Sequence, residues 1–270
     1  MQTSDGASMT TTAHTYGMEF ETVGLNTRQA ARAISSAGVA CNARDYNHDT
    51  PSAWMAVPDG SLGGDMYSAE IVSPILLTER LNEARTVSRA LLNGGARVNT
   101  STGFHVHMGA NIIGLAHPLG NLVVNYYTAH PIFAKMVAPS RLNSRWCKVH
   151  TLDESHAIAD RLNAGTFNFN SADRYYSLNL NAVARHGTVE FRLHQGTLNA
   201  SKALAWVDFL TAMVNYSMEG YHLPAEWNAL AGAEALAKLP DLLMLIREFG
   251  LSDTTADYLL RRADELGNRG

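Results

Sequence analysis

Along this chain, apolar and polar positions alternate every second residue in several short stretches and recur every three to four residues in longer ones. These are the periods of strands and helices. Between His14 and Gly24, Met18, Phe20 and Thr22 alternate with Gly17, Glu19 and Glu21, which predicts a strand. Thr27 is placed as the cap of a helix running to about Ala37, with Gly38 as its stop. Further strands are expected at 53–57, 66–72 and 104–109, with a glycine-rich turn over Asp59 to Gly64. Helices are expected from Thr78 to about Asn93, from Pro118 to about Val137 and from Asp153 to Asn163. Tyr175–Val183 and Thr188–His194 read as a hairpin turning through Arg185-His186-Gly187. From Ala200 onward the pattern is helical, with Leu204, Val207, Leu210 and Val214 as a core-facing stripe. Strands mixed with helices, then a helical last third, predict an α+β fold. The expected organisation is a tail at 1–13 and one domain at 14–270, with helical cover from about residue 200.

The polar faces of these strands change the picture. Glu19 and Glu21 share one face, as do His105 with His107, Asn179 with Asn181, and Glu190 with Arg192. Opposite them stand apolar residues such as Met18, Phe20, Phe104, Val106, Val189 and Phe191. A wet sheet face ordinarily carries Thr, Lys, Ser and Arg, and any one of these pairs fits a plain surface. Four such strands in one chain, almost without lysine, point instead to one shared cleft. Crowded carboxylates repel unless a cation sits among them. Glu19, Glu21, Glu70 and Glu190 with an imidazole form an oxygen-rich set suited to Mg2+ or Mn2+. His-x-His with a glutamate also fits a catalytic zinc. Arg141 and Arg145 lie in a loop after a helix, Arg174 begins a strand, and Arg192 sits on the polar face. Guanidinium forks match phosphate and carboxylate oxygens. The nine other histidines, His130 among them, read as surface or locally hydrogen-bonded.

Composition sets the outer limits. Hydrophobic residues make up 46% and charged residues 17%, enough apolar material for a sizeable core. A net charge of -4 disfavours nucleic acid as a partner. No apolar run approaches the roughly 20 residues of a membrane span. Met1 to Ala13 has neither a charged start nor an apolar stretch, so a flexible tail is expected there rather than a signal peptide. Two distant cysteines, Cys41 and Cys147, are no disulfide framework, and a reducing cytoplasm follows as the expected compartment.

Several ordered segments resemble the amidoligase family, a branch of the glutamine synthetase and glutamate–cysteine ligase superfamily. They are Tyr16-Gly17-Met18-Glu19-Phe20-Glu21, Trp54 through Asp59-Gly60-Ser61, Glu70 through Leu76, and Gly103-Phe104-His105-Val106-His107. Then come Ser140-Arg141-Leu142-Asn143 with Cys147, Arg174 through Asn179, and Thr188-Val189-Glu190-Phe191-Arg192 with Gly196-Thr197. The resemblance spans about residues 14–210, and the last sixty or so carry no matching motif.

The resemblance implies a curved, mainly antiparallel sheet, with helices on one face and ATP plus two or more divalent ions on the concave other. Glu19, His105 and Glu190 would hold the ion at the ATP phosphates; Glu21, Glu70 and Asp59 would hold the one nearer the acceptor carboxylate. His107 would lie near the transferred phosphate and Arg192 would neutralise the γ-phosphate, while Arg141, Arg145 and Arg174 would contact nucleotide or substrate. Asp59 departs from the glutamine synthetase pattern, which has a glutamate nearer the second acidic residue; it is also the candidate general base. The implied activity is ATP-dependent joining of a glutamate-like or peptide carboxylate to an amine. The rival readings are a metal-dependent amide hydrolase and a non-catalytic nucleotide- or peptide-binding module. An oligomer is allowed by the resemblance but fixed by nothing in the sequence.

Overall fold

The computed structural model describes residues 13–45, 51–60 and 67–267. The tail expected at 1–13, except Ala13, and the 59–64 turn beyond Gly60 lie outside them. Strands form where the period-two pattern is strongest: β1 (Tyr16–Val23), β2 (Cys41–Ala43), β3 (Trp54–Val57), β4 (Ser68–Val72), β5 (Phe104–Gly109), β6 (Leu178–Asn179) and β7 (Thr188–Phe191). They make one open sheet in the order β2-β3-β4-β1-β5-β7-β6. Only the β2–β3 pair is parallel among them, so the sheet is mixed but mostly antiparallel.

The helices are α1 (Thr27–Ser36), α2 (Glu83–Gly94), α3 (Ala110–Ile113), α4 (His117–Phe133), α5 (Pro139–Leu142) and α6 (Leu152–Asn163). They continue with α7 (Asn181–His186), α8 (Ala200–Met218), α9 (Gly232–Ala237), α10 (Leu239–Arg247) and α11 (Asp253–Gly267). The expected α+β class and the helical last third are both present. One face of the sheet is apolar: Met18, Phe20, Trp54, Ile71, Phe104, Val106, Val189 and Phe191 all join the core. Helix α4, buried over most of its length, is sandwiched there. Its Tyr126 ring lies 5.8 Å from Phe191 of the sheet, and its Phe133 lies 6.2 Å from Trp206 of α8. The other sheet face, carrying the alternate residues, is left to the cleft described below.

Several expectations shift for local reasons. Asn26, not Thr27, caps α1: its side chain accepts from Gln29 N at 2.9 Å, while Gln29 returns a bond to Asn26 N at 3.0 Å. A cap must sit where its oxygen reaches the third helical amide, and that is one residue earlier. Strand β2 has no alternation of its own and goes unseen in the sequence; it forms by pairing with β3. Thr78 opens a single 3-10 turn, and α2 starts only at Glu83. The fourth helix ends at Phe133 rather than near Val137, two residues after Pro131. Proline removes the amide that would bond the carbonyl four residues back; Asn228 Nδ2 donates to that carbonyl, Tyr127 O, at 2.9 Å instead.

The expected 175–194 hairpin is the largest correction. Only Leu178–Asn179 pairs as strand β6, and the chain then coils into α7. The Asn179 side chain accepts from Asn181 N at 2.9 Å, an Asx turn that diverts the backbone. Asn179 and Asn181 therefore do not share a strand face, and Arg174 lies ahead of β6 rather than at its start.

His130 departs from the surface-or-bonded expectation. It is buried between Tyr126 and Phe133, and its Nε2 has no partner among the described residues. Burial lowers its pKa from 6.5 to about 4. A histidine kept neutral in the fold but free to protonate when unfolded makes stability fall as pH drops from 6.5 to about 4. Over that window the native protein should lose roughly 3 kcal/mol more stability than His130→Phe, measured by chemical denaturation at both pH values. Parallel losses in the two proteins would refute the burial effect.

Candidate active site

The site follows from strand register. In β1, Glu19 and Glu21 point away from the core, as Met18 and Phe20 point into it. Antiparallel pairing sets Glu21 opposite Glu70 of β4, and Glu19 opposite His105 of β5. His107 then faces Glu190 of β7, and Glu190 faces Asn179 of β6. Directly across β1 from His107 is Gly17, where a Cβ would come within 3.1 Å of His107 Cβ. The missing side chain leaves His107 room to lean toward Glu19.

Distances show how tightly these groups meet. His105 Nδ1 lies 3.0 Å from Glu19 Oε2 and 3.3 Å from Glu190 Oε1, and its Nε2 lies 3.5 Å from Glu21 Oε1. His107 Nε2 lies 3.1 Å from Glu19 Oε1. Thr188 Oγ1, at 2.8 Å from His107 Nδ1, orients that ring from behind. Asn179 Nδ2 donates to Glu190 Oε2 at 2.6 Å, and Arg192 pairs with the other Glu190 oxygen. Gly103 N donates to Glu21 Oε2.

The electrostatics are those of a site short of positive charge. Burial would raise the pKa of every carboxylate here. At Glu19 burial is outweighed by the His107 and His105 imidazoles, which hold the group well below the usual carboxylate range. Glu190 is likewise held low against burial, by Arg192 and His107. At Glu70, burial and the charges of Glu19, Asp59 and Glu21 push the carboxyl well above its usual range. His107 is raised despite burial, by Glu19 and Glu190.

Two donor groups emerge. Glu19, His107 and Glu190 offer ligand atoms all within 4.8 Å of one another, and so do Glu19, Glu70 and His105. Two carboxylates and one imidazole in each group would suit hard divalent cations such as Mg2+ or Mn2+. The donor set therefore fits the ions expected from the sequence. The groupings differ from those expected in two respects: His107 stands with Glu19 and Glu190, beside His105 whose Nδ1 also lies within 3.3 Å of both, and Glu70 groups with Glu19 and His105 rather than with Glu21 and Asp59.

These residues floor a cleft of about 1090 Å³, whose walls also include Asp59, Arg141, Arg145, Arg174 and Arg192. All eleven residues singled out in the sequence thus line one cleft, on which Arg141 stands apart. It is 3% exposed and sits on helix α5, not in a loop. Its Nη2 donates to Arg192 O at 2.8 Å and to Cys147 Sγ at 2.9 Å, so it braces the floor from below. Arg145 lies over the Trp146 ring at 4.5 Å from its centroid, and Arg174 over that of Tyr175 at 5.1 Å. Thr188 and Gly103 went unnoticed as supports. Thr188 was detectable, since it precedes Glu190 by one strand period.

A family model described as "putative amidoligase enzyme" matches residues 12–214, well over half of the chain. The chain belongs to that amidoligase family. The match covers every strand of the sheet and all the cleft residues named above, and it stops within α8. Helices α9 to α11 lie beyond it. No curated protein matches the chain. Among the described residues, no helix is long and apolar enough to cross a membrane.

Proposed function

We propose that this amidoligase is an ATP-dependent carboxylate–amine ligase working through an acyl phosphate. The observation that carries this reading is the convergence of Glu19, Glu70, His105, His107 and Glu190 from four strands on one arginine-walled cleft. Glu19, His107 and Glu190 would hold one divalent ion on the nucleotide side. Glu19, Glu70 and His105, with Glu21 beside them, would hold another on the acceptor side. Bound Mg2+ or Mn2+ supplies neutralisation of phosphate charge and polarisation of the transferred phosphoryl group.

The chain's own residues do the rest. A carboxylate is a poor electrophile, so its oxygen first attacks the γ-phosphorus of ATP and ADP leaves. Arg192, anchored by Glu190, opposes the charge that builds on the phosphoryl oxygens. The amine nitrogen then attacks the acyl carbon: the C–N bond forms, the bond from carbon to the phosphate oxygen breaks, and phosphate departs. The proton released by the amine passes to a carboxylate, and Asp59, just beyond β3 on the cleft wall, is the candidate base. Arg145 and Arg174 would meet nucleotide or substrate anions. An amide hydrolase would use two histidines and a carboxylate but has no need of arginines set for phosphate, so the ligase is favoured. Two buried free thiols and the use of ATP fit a cytoplasmic setting.

The test is direct. Millimolar ATP with Mg2+ should raise the melting temperature by roughly 5 °C, more than either alone. ADP and phosphate should appear when a suitable carboxylate and amine are both supplied. No thermal shift, together with no ADP across a broad substrate panel, would sink the proposal.

A further inference from the structure

The two sides of the cleft differ in chemistry. On one side, β3 and β4 set Met55 opposite Val72 and Val57 opposite Glu70. Trp54, Ala56 and Ile71 point into the core, and their alternates Met55, Val57 and Val72 line the cleft. Met55 and Val57 are 7% and 3% exposed yet stand outside the core cluster. Pro74 and Ile75 carry this apolar wall to the mouth, where Ile75 is 58% exposed.

The cations keep to the other side. Arg145 precedes α6, Arg174 precedes β6, Arg185 lies on α7 and Arg192 follows β7. Among the described cleft residues from 15 to 75, none is Lys, Arg or His; Glu19 and Glu70 belong to the donor groups with Glu21 beside them, which leaves Asp59 as the acid next to the apolar wall. A polyphosphate is drawn to the arginine side. The acidic and apolar side complements the opposite kind of molecule: a cationic amine with an apolar body. An ammonium ion would gain nothing from Met55, Val57 and Val72, because it has no apolar surface to bury.

We infer that the amine substrate is a primary amine bearing a branched or aromatic group, which lies over Met55, Val57, Val72 and Ile75 with its nitrogen toward Asp59. The inference rests on the ligase reading for the reaction, but the binding preference is measurable without it.

The experiment is calorimetric titration of the full chain with glycinamide, leucinamide, phenylalaninamide and ammonium chloride, with and without Mg2+ plus the ATP analogue AMP-PNP. Leucinamide and phenylalaninamide should bind at least about tenfold tighter than glycinamide or ammonium. Val72→Thr, which keeps the shape but adds a hydroxyl, combined with Ile75→Ser should bring the series to within about threefold. The variant's melting transition checks that it is folded, and Ile75 is exposed enough to tolerate the change. Equal affinities across the series, no binding by any amine, or a preference untouched by the paired substitutions would each overturn the inference. Failure of AMP-PNP with Mg2+ to bind would count against the ligase reading alone, and the amide series would still decide this one.

Discussion

Glu19→Gln is expected to lower ADP formation on the order of 10^3-fold and to weaken divalent-cation binding at both donor groups together. The reason is its position. Glu19 belongs to both three-residue sets, whereas Glu70 and Glu190 each belong to one. Its two oxygens also reach different imidazoles, Oε2 toward His105 and Oε1 toward His107. Gln keeps the shape of the side chain but turns one oxygen into an amide nitrogen, which repels a cation and cannot share two ions. Losing one preorganised charge-stabilising group costs about 10^2 to 10^3 in rate, and here a single change strikes two sites. Glu70→Gln touches one group only, so its loss should be smaller, roughly 10- to 100-fold. Mn2+ titration read by electron paramagnetic resonance, beside an ADP assay, separates the cases. Glu19→Gln retaining two bound ions and turnover within about tenfold of native would reject the shared-ligand geometry.

Gly103→Ala should cost about 100-fold in turnover while leaving the protein folded. A Cβ at this position would fall 2.7 Å from His105 Nε2, 3.1 Å from Arg141 Nη2 and 3.3 Å from Glu21 Oε2. His105 and Glu21 must move, although His105 is held at Nδ1 by Glu19 and Glu21 is tied to the Gly103 amide itself. Misplacing a reacting constellation by about 1 Å can cost 10^2-fold, whereas overpacking one methyl typically costs 1–3 kcal/mol of stability. Kinetics together with thermal denaturation check both halves. Native turnover in Gly103→Ala would mean that the floor yields without consequence.

Much of this site could be read before any fold was known, because strand geometry is local. A period of two residues forces Glu19 and Glu21, His105 and His107, and Glu190 and Arg192 onto faces opposite the apolar residues. The same logic failed at Asn179 and Asn181, where one side-chain bond to a backbone amide ends the strand. Local pattern cannot see such a bond, since it depends on which conformation the chain has already taken. It failed again at Arg141, whose side chain resembles any surface arginine in the sequence but is packed under the floor against Cys147 and the Arg192 carbonyl. The short strand β2 offered no period to detect.

By itself, then, the sequence determined the α+β class, the face on which each acidic or imidazole side chain stands, the helical last third, and the membership of one family. Those features depend on side-chain alternation and on ordered motifs within short windows. Only the tertiary structure decided that β1 lies between β4 and β5, that His107 joins Glu19 and Glu190, and that apolar and cationic walls occupy opposite sides of the cleft. Neighbours across a sheet are chosen by pairing between segments 50 to 90 residues apart, as in Glu19 with Val72 and His105. That choice is settled by how the common apolar face packs on α4 and α8, a condition no short window of sequence contains.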